Sequence, residues 1–260
     1  MKKFLKSFFL FLLAPLFVLI GFYVLTDPFK NHNKFDLNNF SGVNREYVSM
    51  ELFLKNYPSQ KYNSFIFGSS RACGLNVYTW KLCLPKDAKP FLFQAWAETL
   101  TGIYQKVNYL NNKGVNLRDV VILIDVPSTF DNEQESTKAL SLKDYRLSGR
   151  SYMYNQAMFF YAYLKPSIFY ESIKNVCHSQ PTAITFDTIT NDWKNVNCLN
   201  YNIKPIQDST LSKEKFSDRY KGSVSKSLIS SEYLDVLVKI KRIFRKRNTR
   251  YKIVITPAYT

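Results

Sequence analysis

Histidine, glycine and acidic residues are all scarce in this chain, and each shortage removes a class of function. Two histidines, His32 and His178, stand far apart among 260 residues, and the four cysteines form no Cys-x-x-Cys pair, so the ligand spacings of zinc and other metal sites are missing. The eight glycines are scattered, and neither the Walker phosphate loop nor the Gly-x-Gly-x-x-Gly dinucleotide signature occurs. No metal and no cofactor is therefore expected. Acidic residues number 20 against 36 lysines and arginines, a formal net charge of +16 with a pI near 9.6. In a cytosolic protein that balance points to nucleic acid. The N-terminus, however, directs the chain outward, where no nucleic acid partner is expected. The charge then reads as a basic soluble surface in a Lys-, Asn- and Tyr-rich chain, or as affinity for acidic envelope polymers or anionic lipid.

What the sequence does have begins with an apolar run. Lys2, Lys3 and Lys6 precede an uncharged stretch from Phe8 to Thr26. At about 1.5 Å per helical residue this stretch matches the roughly 30 Å hydrocarbon layer of a bilayer. Phe22-Tyr23-Val24-Leu25 leads directly into Asp27 and Pro28 without the small-residue site at which a signal peptide is cut, so the run reads as a retained anchor. Pro15 and Gly21 are tolerated in such helices. The lysines place residues 1–7 in the cytoplasm and send the remainder to the periplasm or exterior. Residues 27–45 read as a polar tether, and residues 46–260 as one α/β domain.

Within that domain, Tyr47, Met50, Leu54 and Tyr57 recur at helical spacing, and Pro58 is expected to end the helix. The run from Tyr62 to Phe67 reads as a strand that breaks into the turn Gly68-Ser69-Ser70-Arg71. A second strand is expected at Pro90 to Phe93 and a helix from Glu98 to Leu110, stopped by Asn111-Asn112-Lys113-Gly114. Val120 to Asp125 is β-branched almost throughout, as a strand covered on both faces requires. Strand, helix and strand in this order imply a three-layer, doubly wound parallel sheet of flavodoxin-like type. A large insertion, about residues 128–230, interrupts the pattern and carries the aromatic-rich stretch Tyr152 to Tyr170. A helix from Ser231 to Arg247 and a strand from Tyr251 to Ile255 then resume it. No helix follows that strand before Thr260, so the sequence reads as part of a longer protein.

Ser70 follows the first strand, at the carboxyl edge of a parallel sheet, where α/β proteins place their sites. A turn there presents a hydroxyl beside the amides of the next helix. The structural alternative is that Ser69 or Ser70 simply caps that helix. Asp125, at the end of the third strand, either orients a base or holds the loop Pro127-Ser128-Thr129, and strand-end aspartates are as often turn formers. Four cysteines allow three pairings, of which Cys73 with Cys83 and Cys177 with Cys198 are the sequence-local one.

Phe67-Gly68-Ser69-Ser70-Arg71 resembles the first block of the SGNH/GDSL hydrolase superfamily, in the Gly-Ser-Ser variant of membrane-anchored envelope proteins similar to DltD and alginate-type O-acetylation proteins. Phe93-Gln94-Ala95-Trp96-Ala97-Glu98 and the Val120–Asp125 strand extend the likeness. The resemblance implies that Ser70 is the nucleophile, and that the turn at Gly68 with the amides of Ser70 and Arg71 forms an oxyanion site. It also places Ala97 where relatives have a loop glycine and Gln94 where a side-chain donor begins that loop. The Asp-x-x-His-like block of the family is absent. The expected activity is a serine acyltransferase or esterase on a cell-envelope glycan, with an acyl donor delivered at the membrane by a partner transmembrane acyltransferase. The alternative is a non-catalytic envelope protein that binds a glycan or an assembly partner.

Overall fold

Three buried apolar segments build the sheet because each is too short for a helix and bounded by turn residues. In the computed structural model they form β1 (Ser64–Gly68), β2 (Pro90–Gln94) and β3 (Asp119–Asp125), buried along their whole lengths. Together with β6 (Arg250–Thr256) they make a four-stranded parallel sheet in the order β2-β1-β3-β6. The α/β class and the parallel sheet expected from the sequence are present, and the order is compatible with a flavodoxin-like layout. The structure describes residues 2–29, 44–125, 128–130, 141–177, 186–193 and 231–256.

Where the sequence reads as one domain from residue 46, the chain groups into two compact units. One comprises Met1–Ser59 with Gln134–Ala183, the other Gln60–Glu133 with Ile184–Thr260.

The second unit holds the sheet. Register places Phe67 of β1 beside Phe93 of β2 and Ile122 of β3, and Asp125 of β3 beside Thr256 of β6. The helix α4 (Leu100–Asn112) starts at Thr99, whose Oγ1 accepts from the Gly102 amide at 3.1 Å. Gly114, at φ 70°, closes its end, with the Val115 amide donating to the Leu110 carbonyl. It packs against α8 (Ser231–Lys246). A short helix that the sequence reading did not foresee, α3 (Val77–Leu82), follows β1 and is capped by the Asn76 side chain. Strand β6 is exposed on both faces through Tyr251, Ile253, Val254 and Ile255, unlike its neighbours.

The free edge of β2 is covered by a small hairpin, β4 (Phe186–Asp187) and β5 (Asp192–Trp193). The Leu92 amide donates to the Thr190 carbonyl at 3.0 Å, and Asn191 Nδ2 donates to the Leu92 carbonyl at 2.5 Å. Covering an edge in this way removes unpaired backbone groups that otherwise recruit other strands. The hairpin is fastened by two buried carboxylates: Asp192 accepts from the Val77 amide at 2.8 Å, and Asp187 accepts from the Tyr78 hydroxyl and from Thr190 Oγ1.

Burial, followed by the hydrogen bond to Asp187, pushes the Tyr78 hydroxyl up from 10.0 to about 12. Because the folded value is raised, this phenol contributes its full stabilisation below pH 10 and loses it as the pH climbs through about 12. The urea midpoint of the sheet unit should therefore fall between pH 10 and 12, and fall less in Tyr78→Phe. Identical pH profiles for the two proteins would remove Tyr78 from the fastening.

The first unit is helical. It contains α1 (Lys2–Thr26), α2 (Arg45–Gln60), α5 (Tyr145–Ser148), α6 (Tyr152–Tyr163) and α7 (Pro166–Cys177). Its core is aromatic, joining Tyr23, Phe29, Tyr47, Leu142, Phe159, Ala162 and Tyr163. Helix α2 runs past Pro58 to Gln60, because a proline in the last turn removes only one backbone hydrogen bond. Lys61, at φ 52°, ends it. Among the described residues no helix is long and apolar enough to cross a membrane; side chains at positions 2, 5, 6, 9, 10 and 12 of α1 lie outside those residues.

Candidate active site

The chain leaves β1 through a glycine that nothing else can replace without movement. A Cβ on Gly68 would lie 2.9 Å from Leu123 Cβ and 3.2 Å from both Ala72 Cβ and the Leu123 carbonyl oxygen. Absence of a side chain thus lets β1 pass close to β3 just before the turn. Ser69 follows in extended conformation (φ −74°, ψ −167°) and caps a single 3-10 turn, Ser70–Gly74.

The two serines have different environments. Ser69 is 2% exposed; its Oγ accepts from the Arg71 amide at 3.3 Å and donates to Asp125 Oδ2 at 3.1 Å. Both functions of that hydroxyl are engaged, so Ser69 fills the capping role. Ser70 is half-buried at the carboxyl rim of the sheet, and among the described residues its hydroxyl has no hydrogen-bond partner.

Asp125 gathers the rim of three strands. Its Oδ1 takes Arg71 Nη1 at 2.6 Å, a charge-assisted contact, and lies 3.5 Å from Thr256 Oγ1 at the end of β6. Its amide donates to Thr129 Oγ1 at 2.8 Å, which holds the loop after β3. Of the two readings of Asp125 given by the sequence, the structure shows the loop contact, made by the backbone amide, while the carboxylate holds Ser69 and Arg71 and no base stands beside it among the described residues.

Gln94 ends β2 as a buried residue, and its Oε1 accepts from Cys73 Sγ at 2.7 Å. The Ala95 amide donates to the Gly68 carbonyl at 3.3 Å, tying the two loops together. Ala97 adopts φ 47°, the left-handed conformation in which a glycine is the usual residue. Directly after it, Glu98 is fully buried and ion-paired with Lys106 of α4, also fully buried, whose ammonium stands 5.2 Å from the Phe93 ring centroid.

Three expectations need correction. The Arg71 amide does not face an open oxyanion position, because it donates to Ser69 Oγ. The helix expected after the serine is a five-residue 3-10 turn. Cys73 and Cys83 are free thiols: the first bonds Gln94 and the second sits exposed at the end of α3, so closeness in sequence did not bring the sulfurs together. The Cys177 side chain, Cys198, His32 and His178 lie outside the described residues.

Three contacts were not foreseen from the sequence: Ser69 with Asp125, Thr256 beside Asp125, and the Glu98–Lys106 pair. Only the last had a signal: a lysine on the apolar face formed by Ile103, Val107 and Leu110. No group of histidines, cysteines or carboxylates that could hold a metal occurs among the described residues. No family model, curated protein or solved structure matches the chain.

Proposed function

We propose that this protein is a membrane-anchored, SGNH-like serine acyltransferase or esterase acting on a cell-envelope glycan. The observation that carries the reading is the half-buried Ser70 hydroxyl, without a partner among the described residues, at the carboxyl rim of a parallel sheet, one residue beyond a serine that is held by Asp125. Rigid surroundings around one accessible hydroxyl are what nucleophilic catalysis needs. Ser70 Oγ attacks the acyl carbon, the donor's ester C–O bond breaks, and the serine proton leaves with the departing alcohol through a base. No histidine lies among the described residues. A glycan hydroxyl or water then attacks the acyl-serine and frees Ser70. The Ser70 amide and the Gly68 turn are the oxyanion elements left to the site, with Gln94 and the Ala97 loop beside β2.

Helix α1 serves as the anchor in this reading. Its described side chains from Phe11 to Leu25 are apolar and mostly exposed, Phe11 at 83% and Val18 at 71% among them. A helix apolar all round has no stable place in water unless something covers it. The sheet unit is accordingly periplasmic or extracellular, and the acyl donor comes from a transmembrane acyltransferase partner.

One observation favours a second reading, a glycan- or partner-binding protein that keeps the fold: Asp125 is ion-paired to Arg71 and bonded to Ser69, not turned toward a base. A fluorophosphonate probe applied to the full chain in detergent micelles separates the two. Wild type and Ser69→Ala should be labelled and Ser70→Ala should not, with Ser69→Ala costing about 0.5–2 kcal/mol in stability through the lost cap. An unlabelled wild type favours the binder; labelling that survives Ser70→Ala removes Ser70 from the mechanism.

A further inference from the structure

Helix α6 is apolar on two opposite faces. Phe159, Ala162 and Tyr163 join the aromatic core of the helical unit, with buried Asn155 beside them donating to the Lys143 carbonyl. On the opposite side Tyr154, Ala157, Tyr161 and Leu164 recur at helical spacing, all exposed, with Met153 beside them. Tyr161 is 64% exposed, and on α7 Tyr170 is 66% exposed with Ile173 one turn on. A surface helix in water normally turns charged or polar residues outward. A contiguous apolar stripe in their place marks a surface that meets something.

The position of α6 and α7 indicates what that something is. They pack on the last turns of α1: the Tyr23 ring meets Phe160 edge-on (5.5 Å between centroids) and Tyr163 at a tilt (5.1 Å), and Phe22 meets Phe169 at a tilt (6.0 Å). Phe22 and Tyr23 lie just before Thr26, where the apolar run of α1 ends. Where an apolar spanning helix gives way to polar sequence, the surroundings are the headgroup region of the bilayer. Tyrosine is the residue enriched there, since its ring is apolar and its hydroxyl wet. Basic residues flank the stripe, with Arg150 over the Tyr154 ring at 5.0 Å, and Lys165 and Lys174 exposed. Between Arg150 and Lys174 the sequence has three cations against the single acid Glu171, which suits phosphate headgroups.

We propose that the outer face of α6 and α7, carried by Tyr154, Tyr161, Leu164 and Tyr170, lies in the headgroup interface of the bilayer that α1 crosses. The proposal rests on the anchor reading of α1. It makes α6 and α7 a second, lateral attachment, which fixes the height and tilt of the helical unit at the membrane instead of leaving it on a single swivel. Interfacial helices of this kind hold by apolar burial together with attraction to charged lipid.

The test uses the full chain in phosphatidylcholine vesicles whose lipids are brominated near the top of their acyl chains. Added tryptophans at Tyr161→Trp, Phe17→Trp and Leu82→Trp are each compared with the parent protein. The Tyr161→Trp emission should be blue-shifted and lose most of its intensity to bromine, as should Phe17→Trp, while Leu82→Trp keeps its emission. Quenching of Phe17→Trp alone would overturn the proposal and leave the anchor standing. If neither residue 17 nor residue 161 is quenched, the anchor reading fails and the proposal with it. Equal quenching at Leu82→Trp would overturn the proposal by showing unspecific adhesion. A blue-shifted but unquenched Tyr161→Trp that reports self-association on dilution would assign the face to a second copy of the chain.

Discussion

Replacing Lys106 by methionine is expected to destabilise the sheet unit by about 3–5 kcal/mol, because it leaves the buried Glu98 carboxylate without its cation. Lys106 and Glu98 are both fully buried, and Lys106 also stands over the Phe93 ring. Removing both charges is a different experiment. Glu98→Leu with Lys106→Met takes away the attraction and the desolvation cost together, and should regain most of the loss, as buried pairs replaced by apolar residues of similar volume often do. The measurement is convenient here: the three tryptophans, Trp80, Trp96 and Trp193, all lie in the sheet unit, so their fluorescence during urea unfolding reports that unit alone. A single variant within about 0.5 kcal/mol of wild type, the range of an ordinary surface change, would mean that the pair is not buried. Function should follow stability, since Glu98 is the first residue after the left-handed Ala97 and fastens the loop beside Ser70 to α4.

What was legible in the sequence was the part governed by local rules. The β-branched run at 120–125 had to be a covered strand, and the run before Gly68 had to stop at the glycine; both became neighbouring strands of the sheet. A serine cap on the turn was legible as well, open between Ser69 and Ser70, and Ser69 takes it. Contacts set by register were not legible. Ser69 meets Asp125 only because Phe67 pairs with Ile122, a relation between residues more than fifty positions apart that no local pattern encodes. The β4–β5 hairpin was missed for a related reason: two-residue strands carry no periodicity, and its place along β2 is decided by Thr190 and Asn191 bonding Leu92. Cys73 and Cys83 show the opposite error. Ten positions apart, they looked ready to pair, yet the 3-10 turn directs Cys73 to Gln94 and α3 leaves Cys83 in solvent.

Gly68→Ala should cost about 1–3 kcal/mol and abolish probe labelling beyond what that instability explains, the usual penalty for inserting volume into a closed core. The added methyl group has no soft neighbour to push aside. At 2.9 Å it meets Leu123 Cβ and at 3.2 Å the Leu123 carbonyl oxygen, both rigidly attached to the backbone of β3, and Ala72 Cβ closes the remaining side at 3.2 Å. Relief therefore requires β1 and β3 to separate at their carboxyl ends. Those ends carry Ser69 and Asp125, joined at 3.1 Å, and Ser70 is the next residue along. Local strain and site geometry are coupled through one backbone gap, so the hydroxyl at residue 70 should move even in molecules that remain folded. A comparison with Ile66→Val separates the two effects: that change also lies in β1 and weakens its core, typically by about 0.5–1.5 kcal/mol, but leaves the gap intact. If Gly68→Ala is labelled as well as Ile66→Val under conditions where both are folded, the close approach of β1 to β3 does not position Ser70. The turn would then be an ordinary strand ending with a serine cap.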